Sequence, residues 1–228
     1  MILRQLFDTE SSTYTYLIGD PATRRAALID PVKEHLERDL RLIGELGLTL
    51  TLVLETHVHA DHVTAAGELR ERTGARTVGS AKGAPCISDP VADGDTLELG
   101  ALRIEVLGTP GHTDDGLSYR IGDNVFTGDT LLIRGCGRAD FQNGDASALY
   151  DSLVGTLFVL PDHTVVWPGH DYKGMTSSTI GEEKRHNPRV AGRTRAEFVA
   201  IMNGLGLPPP RKLDVAVPAN RACGRVEL

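Results

Sequence analysis

The stretch Thr56-His57-Val58-His59-Ala60-Asp61-His62 follows an apolar run, Leu50 to Leu54, that breaks off at Glu55. That run has the aliphatic and β-branched content of a strand. Residues two apart on an extended segment share a side, so His57 and His59 can converge on one point. Asp61 and His62 are expected to open a helix reaching about Arg72, with Asp61 as its N-terminal cap. His57, His59, Asp61 and His62 cannot all reach one ion from so short a peptide. The stretch therefore suits two adjacent metals, or one metal whose ligands are oriented by the remaining groups.

Working outward, Tyr14 to Ile18 and Ala26 to Ile29 read as strands, with a helical pattern from about Glu34 to Leu46 before the strand at Leu50 to Leu54. A turn-rich region follows the second helix. Paired strands are expected at Thr96 to Leu99, Leu102 to Leu107, Leu117 to Ile121 and Val125 to Thr127, with turns at Gly100 and Gly122-Asp123-Asn124. Helices are expected at Ser147 to Leu157, Thr179 to Lys184 and Thr194 to Leu205, and a strand at Thr164 to Trp167. Three further donors stand at strand ends beside glycine: His112 after Pro110-Gly111, Asp129 after Gly128, and His170 after Pro168-Gly169. A group placed where rigid strand meets adaptable loop is where binding chemistry concentrates. Histidines of unrelated function have no reason to recur in that setting. His35, His163 and His186 lie in charged or turn segments and read as solvated or supporting groups.

Composition narrows the function classes. With 31 Asp and Glu against 24 Lys and Arg, the net charge is −7, and no basic cluster offers a nucleic-acid or membrane surface. The longest apolar runs fall far short of the roughly 18 residues a bilayer span needs. The N-terminus, Met1 to Phe7, lacks the features of a secretory signal, so the expected location is cytoplasmic. Cys86, Cys136 and Cys223 form an odd set without CxxC spacing, which predicts reduced thiols and no thiolate zinc site. No repeat or linker divides the 228 residues, so residues 1–228 are read as a single domain. Strands with interspersed helices fit either two sheets covered by helices or a doubly wound sheet.

His57-Val58-His59-Ala60-Asp61-His62 together with His112, Asp129 and His170 resembles the metallo-β-lactamase superfamily. That resemblance implies an α/β (α+β) fold, an αββα sandwich with a metal site at one edge. A second block, Gly128 through Gln142, resembles the persulfide dioxygenase (sulfur dioxygenase) family. So do His170 to Gly174, Ile180 to Pro188 and Asp214 to Asn220. In that family one Fe(II) is held by two histidines and an aspartate, which carry over to His57, His112 and Asp129. His59, Asp61, His62 and His170 would then surround these ligands and orient them by hydrogen bonds. Two imidazoles and a carboxylate on one face leave positions open for water, O2 and substrate. The ligand inventory taken alone favours two metals.

The reaction implied is oxidation of glutathione persulfide by O2 and water to sulfite and glutathione. Arg138 suits a glutathione carboxylate, because a guanidinium presents a planar fork of donors. Glyoxalase II enzymes place a cation at the corresponding position and a tyrosine after the corresponding histidine, which adds Tyr172 as a substrate-binding candidate. Arg134 and Lys173 are weaker candidates. Cys136, between two glycines, reads as a packing residue rather than a reactive thiol. The resemblance allows a homodimer and a separate rhodanese or sulfide:quinone oxidoreductase supplying the persulfide. The competing reading is a glyoxalase II-type thioesterase with two metals acting on S-acylglutathione. A metal-stabilised interaction domain is disfavoured, since structural sites close their coordination sphere, usually with cysteines.

Overall fold

A computed structural model describes residues 1–225. They fall into two compact units, one of residues 1–91, 96–104 and 209 onward, the other of residues 92–95 and 105–208.

In the first unit, β1 (Ile2–Phe7), β2 (Tyr14–Gly19), β3 (Arg25–Ile29), β4 (Thr49–Leu54), β5 (Arg76–Ser80) and β6 (Asp89–Val91) lie side by side in chain order. The pairs from β1 to β3 are antiparallel and those from β3 to β6 parallel. Parallel neighbours need crossovers, and α1 (Leu36–Glu45) and α2 (Ala66–Thr73) provide the first two. Leu36, Leu40 and Ile43 make one stripe of α1, which packs with Leu28, Leu50 and Val53 of the sheet and Leu69 of α2. β4 is buried over its last three residues and delivers the chain into the buried segment 55–65. β7 (Thr96–Leu99) and α6 (Leu213–Arg221) complete this unit.

In the second unit, the strand order is β12 (Ser178–Thr179), β11 (Val165–Pro168), β10 (Asn124–Gly128), β9 (Leu117–Ile121), β8 (Leu102–Gly108), the first residues of β8 counting with the first unit. The β9 to β10 hairpin turns on Gly122-Asp123, whereas β10 pairs in parallel with β11 after the excursion through α3 (Ala146–Asp151). Asp145 caps α3 by accepting from the Ser147 and Ala148 amides, and a π-helical stretch, Ser152–Leu157, extends it. α4 (Ile180–His186) and α5 (Arg195–Asn203) follow, the latter opened by a Thr194/Glu197 capping box. Leu149, Leu153 and Leu157 pack with Val125, Val166, Ile180 and Phe198.

Most expected elements are present, but three expectations need correction. The second helix begins at Ala66, because Asp61 does not cap it: its carboxylate accepts from the Thr13 hydroxyl at 2.9 Å and pairs with His62 Nδ1 at 2.9 Å. The turn-rich region after α2 holds β5 and β6, short strands whose Gly79 and Pro90 mask the pattern, Pro90 being tolerated in a terminal strand. Cys86 and Cys223 are joined in a disulfide with Cα atoms 5.9 Å apart, so only Cys136 keeps the free thiol expected of all three. Pairing was invisible because the two cysteines lie 137 residues apart. Non-reducing peptide mapping should recover a Cys86–Cys223 crosslinked fragment, and Cys86→Ser should lower unfolding stability by about 2–5 kcal/mol. Recovery of both cysteines as free thiols from the native protein would refute the crosslink.

Candidate functional site

In the first unit the chemistry begins with Asp30, held at φ 50° at the end of β3. Its carboxylate accepts from the Thr56 amide and the Thr56 hydroxyl, both at 2.8 Å. The hydroxyl proton being so committed, Thr56 Oγ1 can only accept from His57 Nδ1, 3.0 Å away. That fixes the tautomer and leaves His57 Nε2 with its lone pair for a metal. His59 Nε2 lies 3.1 Å from Asp30 and 3.2 Å from Glu55. Burial opposes a charge on His59, but the two carboxylates outweigh it and carry its pKa well above the usual imidazole range. Burial likewise raises Glu55. His62 gives its Nδ1 proton to Asp61, while its Nε2 is buried without a hydrogen-bond partner among the described residues, as is His59 Nδ1. His59, Asp61 and His62 each offer a ligand atom within 4.8 Å of the others.

In the second unit the same device recurs. His112 Nδ1 donates to the Arg138 carbonyl at 2.6 Å, and since a carbonyl only accepts, Nε2 again carries the lone pair. Gly137 makes this possible: a Cβ there would stand 2.7 Å from His112 Nδ1 and 2.5 Å from the Asp129 carbonyl. Its own amide donates to that carbonyl at 2.6 Å, so one residue braces both His112 and Asp129. Asp129 Oδ1 accepts from His170 Nδ1 at 2.6 Å, and Oδ2 lies 3.6 Å from His112 Nε2. The ring of Tyr172, which is 71% exposed, stacks on His170 with centroids 5.9 Å apart. Asp171 shapes that loop by accepting from the Lys173 and Met175 amides.

Arg138 is more committed than its sequence context suggested. Its Nε and Nη2 clasp Asp140 at 2.5 and 2.6 Å, other donors reach the Leu207 and Pro208 carbonyls, and the guanidinium lies over the Phe141 ring. Asp140 is therefore a carboxylate already seated in the fork. Arg134 is bound up with Glu182, Glu183 and Ser178, a fold-supporting network, and Lys173 is exposed. His35 pairs with Asp8, while His163 and His186 are at the surface. Sequence reading missed Asp30, Glu55 and Asn220. Asn220 donates to the carbonyls of His59 and His62, yet a helical asparagine 158 or more residues away carries no local signal of that contact.

The sequence profile of the metallo-β-lactamase superfamily matches residues 8–170. Human mitochondrial persulfide dioxygenase ETHE1 is 46% identical over 227 residues, covering 98% of this chain and 89% of that protein. The chain belongs to the persulfide dioxygenase family. The crystal structure of ETHE1 from Myxococcus xanthus superimposes with a TM-score of 0.98 at 65% identity, covering 99% of this chain and 100% of that one. A more distant relative, hydroxyacylglutathione hydrolase of Methylobacterium sp. (strain 4-46), is 33% identical over 240 residues, with 89% and 91% covered. The chain has the α+β metallo-β-lactamase fold, with clusters of histidine and carboxylate side chains that could hold a metal ion. The donors suit a metal: imidazole nitrogens with committed tautomers, and, on His59 and His62, buried ring nitrogens without a hydrogen-bond partner among the described residues. Among the described residues no helix is long and apolar enough to cross a membrane.

Cys136 behaves as a packing residue. It is buried in the second unit's core, and burial pushes its thiol up to about 11. At pH 8 only about one molecule in a thousand would carry the thiolate. Native protein treated with iodoacetamide at pH 8 should therefore leave Cys136 unmodified while denatured protein is labelled fully. Rapid native labelling would contradict the assignment.

Proposed function

We propose that this chain is an Fe(II)-dependent persulfide dioxygenase that oxidises glutathione persulfide with O2 and water to glutathione and sulfite. The observation that carries the reading is kinship to persulfide dioxygenases over 98% of the chain, joined to a donor set in which the Nδ1 contacts of His57 and His112 leave the lone pair on Nε2 and Asp129 supplies a carboxylate. In this reading His57, His112 and Asp129 hold one Fe(II), and His59, Asp61, His62 and His170 orient them. Bound Fe(II) supplies open positions and electrons for O2 chemistry next to the substrate sulfur. The balance is one persulfide, one O2 and one water giving one thiol, one sulfite dianion and two protons.

The chain's own residues handle orientation. Asp30 through Thr56, and the Arg138 carbonyl, fix the two imidazoles; His170 fixes the Asp129 carboxylate. The exposed Tyr172 ring offers a face and a hydroxyl to the thiol carrier. Arg138 takes a carboxylate of the carrier by exchanging it for Asp140, a swap of like for like. We also propose that residues 1–228 act as a single domain, a reading supported by a superfamily match that draws on both units. The proposed setting is cytoplasmic, with O2 and glutathione persulfide as reactants, a homodimer as the assembly, and a rhodanese or sulfide:quinone oxidoreductase as separate persulfide source. Nucleic acid and membrane have no part in it.

After anaerobic loading with Fe(II), glutathione persulfide should drive O2 uptake in an oxygen electrode, with His57→Ala losing iron and uptake together. Absence of uptake by the iron-loaded wild type would end this reading. Arg138→Ala should keep its iron and raise KM by about 10-fold, the order expected for one lost charge-assisted contact. Asp140→Asn should instead lower KM a few-fold. If Arg138→Ala leaves KM unchanged, Arg138 is a structural clamp on the 207–208 carbonyls and not a substrate group.

A binuclear thioesterase of the glyoxalase II type is the second reading, favoured by one observation. His59, Asp61 and His62 form a ligand-like cluster in which His62 Nε2 and His59 Nδ1 lack hydrogen-bond partners among the described residues. It requires about two metals per chain and hydrolysis of S-lactoylglutathione, so elemental analysis of the purified protein separates the two.

A further inference from the structure

Residues 55–65 carry four of the candidate groups on a segment that is buried at every position except the half-buried Asp61 and belongs to no helix or strand. A buried irregular segment must find hydrogen-bond partners for its amides and carbonyls outside itself. Three of these converge on one side chain. Asn220 Nδ2 donates to the His59 carbonyl at 2.9 Å and to the His62 carbonyl at 2.8 Å, and Asn220 Oδ1 accepts from the Thr64 amide at 2.8 Å. Asn220 is itself 4% exposed. Two donors and an acceptor on so short a stem are available only from asparagine: aspartate has no donor, and glutamine is one methylene longer.

The helix carrying Asn220 is tied down on the same side. Ala216 and Ala219 of α6 pack on Val63, and the Gly67 amide donates to the Cys223 carbonyl at 2.9 Å. A Cβ at position 67 would lie 2.5 Å from that carbonyl, so the turn just after α6 meets the start of α2 backbone to backbone. Three residues beyond Asn220, Cys223 is bonded to Cys86, and Lys33 Nζ donates to the Gly224 carbonyl at 2.8 Å. Asp214 to Asn220 is also, with Ile180 to Pro188, a family-like block to which the proposed chemistry gives no task.

We propose that Asn220 is a positioning residue for the 57–64 segment, and that the Cys86–Cys223 crosslink is the tether that keeps it in register. In this arrangement His57, His59 and His62 are aimed from their main chain as well as from their rings. Loss of the amide frees two buried carbonyls and lets the segment relax away from the geometry that a metal requires. The metal arm of this proposal rests on the iron reading given above; the backbone arm does not.

The test uses full-length protein with Asn220→Asp, which keeps size and removes both donors, Asn220→Gln, and Cys86→Ser. Fe(II) affinity is measured by chelator competition, and amide hydrogen exchange is followed in the metal-free state. Asn220→Asp should weaken Fe(II) binding about 10- to 100-fold, the range for loss of a ligand-orienting partner. Amides 58–64 should exchange at least 10-fold faster, while α5 in the other unit keeps its protection. Asn220→Gln should recover part of both effects. Cys86→Ser should accelerate the same amides, and combined with Asn220→Asp should add less than the two effects separately. A folded Asn220→Asp protein with wild-type exchange at 58–64 would overturn the proposal. So would a Cys86→Ser protein without that acceleration, an arm that stands even where Asn220→Asp does not fold. If His57→Ala keeps wild-type iron while the exchange results hold, the iron reading fails and the clamp survives.

Discussion

The structure is organised around the cost of burying an irregular stretch of main chain. Residues 55–65 are buried except at the half-buried Asp61, and only their ends find main-chain partners, Glu55 on Val78, Val63 on Lys33 and Ala65 on Pro31. Two side chains from outside the segment serve groups between those ends. Asp30 receives the Thr56 amide and hydroxyl at the entry, and Asn220 grips the carbonyls of His59 and His62 with the Thr64 amide at the exit. What results is a hydrogen-bonded platform for histidines, built from backbone accounting.

A second regularity concerns protons. His57 and His112 sit in different units and on unrelated segments, yet each surrenders its Nδ1 proton to an oxygen that cannot give one back. For His57 the acceptor is a hydroxyl already spent on Asp30; for His112 it is a carbonyl. Either way Nε2 is the lone-pair nitrogen, which is the form a metal binds. Asp129 is prepared in the same sense by His170. The cations near these groups divide by task. Arg134 is locked into a carboxylate network with Glu182 and Glu183, whereas Arg138 pairs with the exposed carboxylate of Asp140.

Sequence alone made much of this visible. The alternation and turn residues from Thr96 to Gly128 located four strands, because hairpins announce themselves locally. The metal-type donors stood out because histidine and aspartate recurred beside glycine at strand ends. Elsewhere local reading failed for identifiable reasons. β5 and β6 are too short and too interrupted by Gly79 and Pro90 to show a period, and α6 contains Pro218, which disguises a helix. Asp61 looked like a helix cap because its neighbours are right for one; Thr13 and His62 claim its carboxylate instead.

The residue types and their spacing thus determined the family and the strand-end placement of His112, Asp129 and His170, which depend on near neighbours in the chain. The tertiary structure alone decided that Cys86 meets Cys223, that Asp140 fills the Arg138 fork across from residues 207 and 208, and that Asp30 and Asn220 brace the histidine segment. Most of those contacts join residues tens to more than a hundred positions apart. A local pattern encodes which side chains are present and which way the backbone turns, but hydrogen-bond partners for a buried segment are chosen by whatever the fold brings within 3 Å.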